Sequence, residues 1–205
     1  TAAVYRNEPS VGRAVKKSGI PREDLFITSK LWNTERGYEK ATKAFYATLE
    51  KLQMEYLDLY LIHWPANPNQ FENWKELNAG SWRAMEDLYE AGKIRAIGIS
   101  NFKPYHIDAL LETARIKPMV NQIQIYPGQI PQDSIDYCEE KGILLEAYSP
   151  LGTGEIVNHP LLKEIGEAYG KTAAQVAIRW SLEKGYLPLP KSVTPSRIVE
   201  NFDLF

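Results

Sequence analysis

Apolar and polar positions alternate between two rhythms along this chain. Short runs rich in β-branched and aromatic residues lie at Leu25–Thr28, Leu57–Ile62, Ile94–Ile99, Met119–Ile125, Ile143–Tyr148 and Tyr186–Leu189, the length and composition expected of strands. Between them the apolar spacing changes to three and four. Tyr38, Ala41, Phe45, Leu49 and Leu52 fall on one face of a helix, and Trp74, Leu77, Trp82, Met85, Leu88 and Tyr89 trace a broader stripe over 74–91. Similar patterns cover 105–114, 133–140, 161–169 and 173–184. Gly19, Gly92, Gly142, Gly170 and Gly185 each follow a helical stretch and mark its stop.

Strands alternating with helices imply parallel pairing through right-handed crossovers, hence an α/β fold. Two architectures compete, a doubly wound open sheet and a closed (β/α)8 barrel. The open dinucleotide-binding sheet needs G-x-G-x-x-G in its first β-to-α turn. Gly152-Thr153-Gly154 comes nearest and lacks the third glycine, which favours the barrel. Six strands leave an eight-stranded barrel two short, so about two strands are expected before Thr1. The chain starts without methionine and stops just after a helix-like segment. The expectation is one barrel domain over 1–205, with its first strands and its C-terminal loop missing.

Composition narrows the function. The 205 residues suffice for one core, and the net charge of −2, with both signs interspersed, gives no nucleic-acid footprint or membrane-binding surface. The longest apolar runs are too short to span a bilayer. Cys138 is the single cysteine, and His63, His106 and His159 lie far apart, so neither a disulfide nor a metal site is expected. A reducing cytoplasm fits best. His106 and His159 read as surface or helix-start residues, and Trp74 and Trp82 as core between helix and barrel.

Chemistry collects where the strands end. The runs terminate in Ser29-Lys30, His63, Ser100-Asn101, Tyr148-Ser149 and Lys191-Ser192, with Gln122 and Gln124 inside the fourth. In a parallel barrel these ends share one rim, where active sites are built. The segments FITSKLW (26–32), LDLYLIHWP (57–65), GISNF (98–102), VNQIQIYP (120–127), EAYSPLG (146–152) and LPKSVTPSRIVENF (189–202) resemble consecutive segments of the aldo-keto reductase family. TAAVYRNEPSVG (1–12) resembles the segment after that family's second strand. The likeness runs end to end, and is nearest to the small prokaryotic-type branch that includes the diketogluconate reductases.

The resemblance implies an NADPH-dependent reductase of aldehydes and ketones. Tyr5 matches the tyrosine that protonates the carbonyl oxygen. Lys30 matches the lysine that lowers that phenol's pKa from about 10, since a nearby cation stabilises phenolate. The family's aspartate partner of this lysine would fall immediately before Thr1. His63 matches the histidine that orients the substrate carbonyl. Ser100, Asn101 and Gln122 match contacts to the nicotinamide carboxamide, and Tyr148 the residue stacked on its ring. Ser149, Leu151 and Gly152 match the loop near the pyrophosphate, where small residues let backbone N–H groups approach phosphate. Lys191, Ser192, Val193, Thr194 and Arg197 match the 2′-phosphate end, a basic helix start suited to a dianion. Glu200 and Asn201 match adenine contacts. Trp32, Trp64 and Tyr126 flank site residues and are expected to line the substrate pocket, unless they pack beneath the rim.

Two other readings stay open. The same fold serves as a cofactor-holding regulatory subunit, against which the short loops weigh. An unrelated barrel enzyme such as a sugar-phosphate isomerase would need a carboxylate at a strand end, and Glu146, the one candidate, lies before the end. A small carbonyl compound is the expected partner of a monomer.

Overall fold

The computed structural model describes residues 1–205 and divides into two compact units, Thr1–Asn121 and Gln122–Phe205. In chain order the first unit holds α1 (Glu8–Ser18), β1 (Thr28–Leu31), α2 (Tyr38–Leu52), β2 (Leu57–Ile62), α3 (Trp74–Glu90), β3 (Ile94–Ser100) and α4 (Pro104–Leu111). The division falls within β4 (Val120–Gln124). The second unit continues with α5 (Gln132–Lys141), β5 (Leu144–Tyr148), α6 (Pro160–Tyr169), α7 (Ala173–Glu183), β6 (Leu187–Leu189) and α8 (Pro195–Phe202).

In the first unit β1, β2 and β3 pair in parallel, with Lys30 opposite Leu61 and Leu61 opposite Gly98. Every residue of β2 is buried, which is why it reads as an apolar run interrupted only by Asp58. Leu59, Leu61 and Val120 form a cluster on one face, joined by Ala96 and Met119. The helices cover the other face in the expected register. Ala41, Phe45, Leu49 and Leu52 of α2 are buried, as are Trp82, Met85 and Leu88 of α3. Each such large side chain contributes about 1.5–3 kcal/mol by leaving water. Tyr38, expected on the buried stripe, is 45% exposed, and its hydroxyl donates instead to Asp87 at 2.8 Å.

One strand boundary differs from the sequence pattern. The run expected at Leu25–Thr28 is a strand only from Thr28, and continues to Leu31. Phe26 is 67% exposed. Ile27 donates its N–H to the Asp58 carboxylate at 2.8 Å, and its carbonyl accepts from the N–H groups of Asp58 and Leu59. A side chain thus takes the bond a ladder partner would supply.

In the second unit β5 and β6 pair in parallel, with Tyr148 opposite Leu189. Ile156, Leu162, Ala173 and Ala177 form its core cluster, with Tyr126, Leu151 and Val176 packed against it. The helix stop expected at Gly170 is in the left-handed region, with φ of 63°. α7 begins in a reciprocal cap: Gln175 N–H donates to Thr172 Oγ1 at 3.2 Å, and Thr172 N–H donates to Gln175 Oε1 at 2.9 Å.

Candidate active site

Strand register decides which side chains meet in the first unit. Residues directly paired across parallel strands point to the same face, so Lys30 faces the same side as Leu61. His63 lies two residues past Leu61 and keeps that face, its N–H bonded to the Leu31 carbonyl at 3.1 Å. Lys30 and His63 are 6% and 8% exposed. Tyr5 ends a short 3-10 turn, Ala3–Tyr5, anchored by the fully buried Ala2, whose carbonyl accepts the Tyr5 N–H at 3.0 Å. The Lys30 ammonium is 5.3 Å from the centre of the Tyr5 ring and donates to the Thr1 carbonyl at 3.4 Å. The His63 ring meets Tyr5 edge-on at 5.7 Å and Trp32 at 5.2 Å. A half-exposed phenol therefore sits over a buried cation and a buried imidazole.

Burial first, and the Lys30 charge second, push the His63 pKa down to about 4. The imidazole is neutral at neutral pH, and its Nδ1 is buried without a hydrogen-bond partner. The Tyr5 phenol moves the other way, raised by burial. The net direction is opposite to the lowering expected from Lys30. His106, expected at the surface or at a helix start, is at the start of α4 but 3% exposed. Its Nδ1 accepts from Lys103 N–H at 3.1 Å, and burial followed by the Lys103 charge depresses its pKa to about 4 as well.

These two histidines make stability depend on pH. Between pH 6.5 and 4 an unfolded chain protonates them while the folded chain does not, so their effect is to lower stability as pH falls through that window. Urea midpoints at pH 7, 5.5 and 4.5 are expected to fall progressively, and less steeply in His106→Gln. A variant slope equal to that of the parent contradicts the assignment for His106.

The chain beyond His63 is tied down at successive carbonyls. Asn101 Nδ2 donates to the His63 carbonyl at 3.0 Å and to Ser100 Oγ at 3.1 Å, from a backbone held at φ of 63°. Arg36 donates to the Pro65 carbonyl at 3.0 Å, and Asn78 makes paired bonds to the Ala66 carbonyl and N–H at 3.0 and 2.8 Å. Trp64 rides on this segment, 44% exposed.

In the second unit Gln122 and Glu146 are buried, and Tyr148 is half-buried two residues past Glu146. A cleft of about 640 Å³ is walled by Ser149, Leu151, Lys191, Ser192, Arg197, Glu200 and Asn201 among others. Lys191, Ser192 and Arg197 stand at the N-terminus of α8, where Thr194 N–H donates to Ser192 Oγ at 3.1 Å. Val193 and Thr194 lie on the same segment outside the cleft wall, with Val193 81% exposed. Glu200 accepts from Thr172 Oγ1 at 2.6 Å. At Gly152 a Cβ would stand 3.1 Å from the Tyr126 ring, and its φ is 55°. Tyr126 in turn packs against the cluster of Ile156 and Leu162.

The chain as a whole has relatives among known proteins. The Aldo/keto reductase family matches residues 1–205. Glyoxal reductase of Bacillus subtilis (strain 168) is 49% identical over 205 residues, covering 100% of this chain and 71% of that protein. The chain belongs to the aldo/keto reductase family. The crystal structure of MGS-M4, an aldo-keto reductase from a Medee basin deep-sea metagenome library, superposes with a TM-score of 0.94 at 44% identity, over 100% of this chain and 74% of that one. The Bombyx mori aldo-keto reductase in complex with NADP gives 0.89 at 33% identity, over 100% and 71%. The fold is α/β with parallel strands, as the alternation of strands and helices implied, and corresponds to part of the family's barrel; the family is one of oxidoreductases.

Pattern reading missed several residues of this family member's site region. Thr172, Thr153 and Pro190 share the cleft wall with the expected residues. Thr172 carried a signal, the Thr-x-x-Gln capping box opening a helix. Asn78 and Arg36, which hold the backbone after His63, carried none, because nothing in a helical stripe marks an asparagine as a partner of a distant loop.

Proposed function

We propose that this chain reduces aldehydes and ketones with NADPH, using Tyr5 as the general acid. The convergence of Tyr5, Lys30 and His63 in one unit carries the reading. A bound nicotinamide would supply hydride to the carbonyl carbon, so the carbonyl oxygen would gain negative charge and need a proton. Tyr5 gives that oxygen its proton, and the raised pKa keeps the proton on the phenol until then. Lys30, against the ring, steadies the phenolate left behind. Neutral His63 orients the carbonyl by hydrogen bonding and adds no charge that repels Lys30. Trp32, packed edge-on against His63, and exposed Trp64 form the apolar wall for the substrate, while Tyr126 supports the loop at Gly152.

The donor set of the second unit suits the cofactor. Lys191, Arg197 and Ser192 at a helix N-terminus offer two cations and a hydroxyl to a 2′-phosphate dianion. The remaining assignments are Ser100, Asn101 and Gln122 to the carboxamide, Tyr148 to the ring, Ser149 and Leu151 to the pyrophosphate, and Glu200 and Asn201 to adenine. The relatives support this: one is named for glyoxal reduction and another was solved with NADP. The reading takes the enzyme as a cytoplasmic monomer; no helix is long and apolar enough to cross a membrane.

NADPH consumption on a panel of small aldehydes and dicarbonyls tests the activity, with fluorescence quenching following binding. Turnover supports the proposal; tight binding without turnover of any carbonyl replaces it with the regulatory subunit. Lys191→Met with Arg197→Met removes two charge-assisted contacts, so NADPH affinity is expected to fall about 100-fold while NADH affinity stays within about threefold. Equal losses for both dinucleotides would remove these residues from the 2′-phosphate.

A further inference from the structure

Glu8 opens α1, where an acid suits a helix N-terminus, but an exposed side chain would serve that purpose. Instead the residue is 1% exposed, a costly placement for a carboxylate. Its Oε1 accepts from the hydroxyl of Ser29, itself fully buried on β1, at 2.7 Å. Lys51, half exposed, lies 3.8 Å from the other oxygen and adds little. Ser29 immediately precedes Lys30 and, by strand alternation, points away from it.

Glu8 follows Tyr5 by three residues, so chain and bond close a small circuit. It runs from Tyr5 to Glu8 along the backbone, from Glu8 to Ser29 by the hydrogen bond, and from Ser29 to Lys30 by one peptide. The Lys30 ammonium returns it to the Tyr5 ring at 5.3 Å. Within this circuit Arg6 stands at φ of 55°, a left-handed conformation that a residue with a side chain keeps only where its surroundings impose it. On one side of Arg6 the Tyr5 N–H is bonded to the Ala2 carbonyl at 3.0 Å. On the other side the anchor is Glu8.

We propose that Glu8 is a positioning residue that, through Ser29, holds the turn bearing the Tyr5 phenol against Lys30. This rests on Tyr5 as the general acid under the proposed function. Neither Glu8 nor Ser29 need touch the substrate, because a shift of about 1 Å in the phenol is enough to slow the proton transfer.

A double-mutant cycle on the full chain tests this, with single-turnover reduction read under saturating NADPH. Ser29→Ala is expected to slow the reaction about 10–100-fold, while NADPH affinity by fluorescence titration stays within about threefold. In the Tyr5→Phe background no phenol remains to be placed, so Ser29→Ala is expected to change the residual rate by less than about threefold. A merely structural bond would slow both backgrounds by one factor, or neither, and either result overturns the proposal. Glu8→Gln keeps an oxygen that accepts from Ser29, and its rate is expected within about threefold of the parent. A loss as deep as that of Ser29→Ala would make the charge, and not the bond, the active feature, and overturns the proposal as well. Should Ser29→Ala fail to fold, Ser29→Ala with Glu8→Met removes the bond without stranding a buried charge, and the cycle is run with that pair. A parent chain without NADPH-dependent turnover, or a Tyr5→Phe chain as fast as the parent, removes the proposed role of Tyr5 and this inference with it. Both are read before the cycle begins and are distinct from any of its outcomes.

Discussion

Tyr5→Phe is expected to lower kcat for carbonyl reduction by about 10²–10⁴ while leaving NADPH affinity within about threefold. The substitution retains the ring that meets His63 edge-on at 5.7 Å and lies 5.3 Å from the Lys30 ammonium. Only the O–H is lost, and with it the proton for the developing alkoxide. The hydroxyl belongs to a residue 53% exposed, so stability should change by no more than about 0.5 kcal/mol. Single-turnover kinetics under saturating NADPH read the chemical step directly. A drop of less than tenfold would show that another group supplies the proton, and the general-acid assignment would be withdrawn.

The largest effect on stability is expected at Asp58, outside the reacting groups. Asp58 is 1% exposed; its carboxylate accepts from Ile27 N–H at 2.8 Å and from Arg95 at 3.2 Å, and forms an ion pair with Arg22 at 2.7 Å. Both guanidiniums also lie over the Tyr56 ring, at 4.1 and 4.7 Å. Asp58→Ala strands the Ile27 N–H and takes the carboxylate from Arg22, the more buried of the two arginines, which keeps only its bonds to the Leu25 and Tyr56 carbonyls, at a cost of about 3–5 kcal/mol. Arg95 is more than half exposed and recovers its hydration, which favours the lower end. The exposed pair Lys75–Glu112, at 3.3 Å, provides the contrast: Glu112→Ala should cost less than about 1 kcal/mol. Urea unfolding of the two variants checks both values, and equal midpoint shifts would refute the difference in burial as its cause. Because Asp58 fixes the backbone just before β1, the same variant should also loosen Lys30, three residues further on.

The parts of the fold that were legible are those where one physical rule acts alone. β2 could be read to the residue because both its faces are buried, and α2 because its apolar spacing tracks one buried face. β1 was misplaced by three residues because the rule there is competitive: an apolar run points to a strand, but the Asp58 carboxylate occupies the Ile27 N–H. That aspartate was itself inconspicuous, a single acid within LDLYLI, and its arginine partners lie 36 positions before and 37 after it. His106 is at a helix start, one of the two places its sequence context offered, but that context says nothing about the aromatic side chains that close over it, here Trp74, Phe102 and Tyr105. The site residues were a different matter. Tyr5 and Lys30 carry no local pattern, and only resemblance to a family singled them out; why they meet is visible once register places Lys30 and His63 on one face.

The chain from His63 to Ala66 leaves Trp64 an unusual degree of independence. With the carbonyls of His63, Pro65 and Ala66 each engaged by a side chain from elsewhere, the backbone beneath the indole cannot drift when the indole is exchanged. Under the proposed function, with Trp64 on the substrate wall, position 64 is therefore a site where mutation is expected to widen or narrow the range of accepted molecules without unsettling the imidazole one residue before it. For directed evolution that separates two properties usually inherited together: taste can be altered here while rate is left in place.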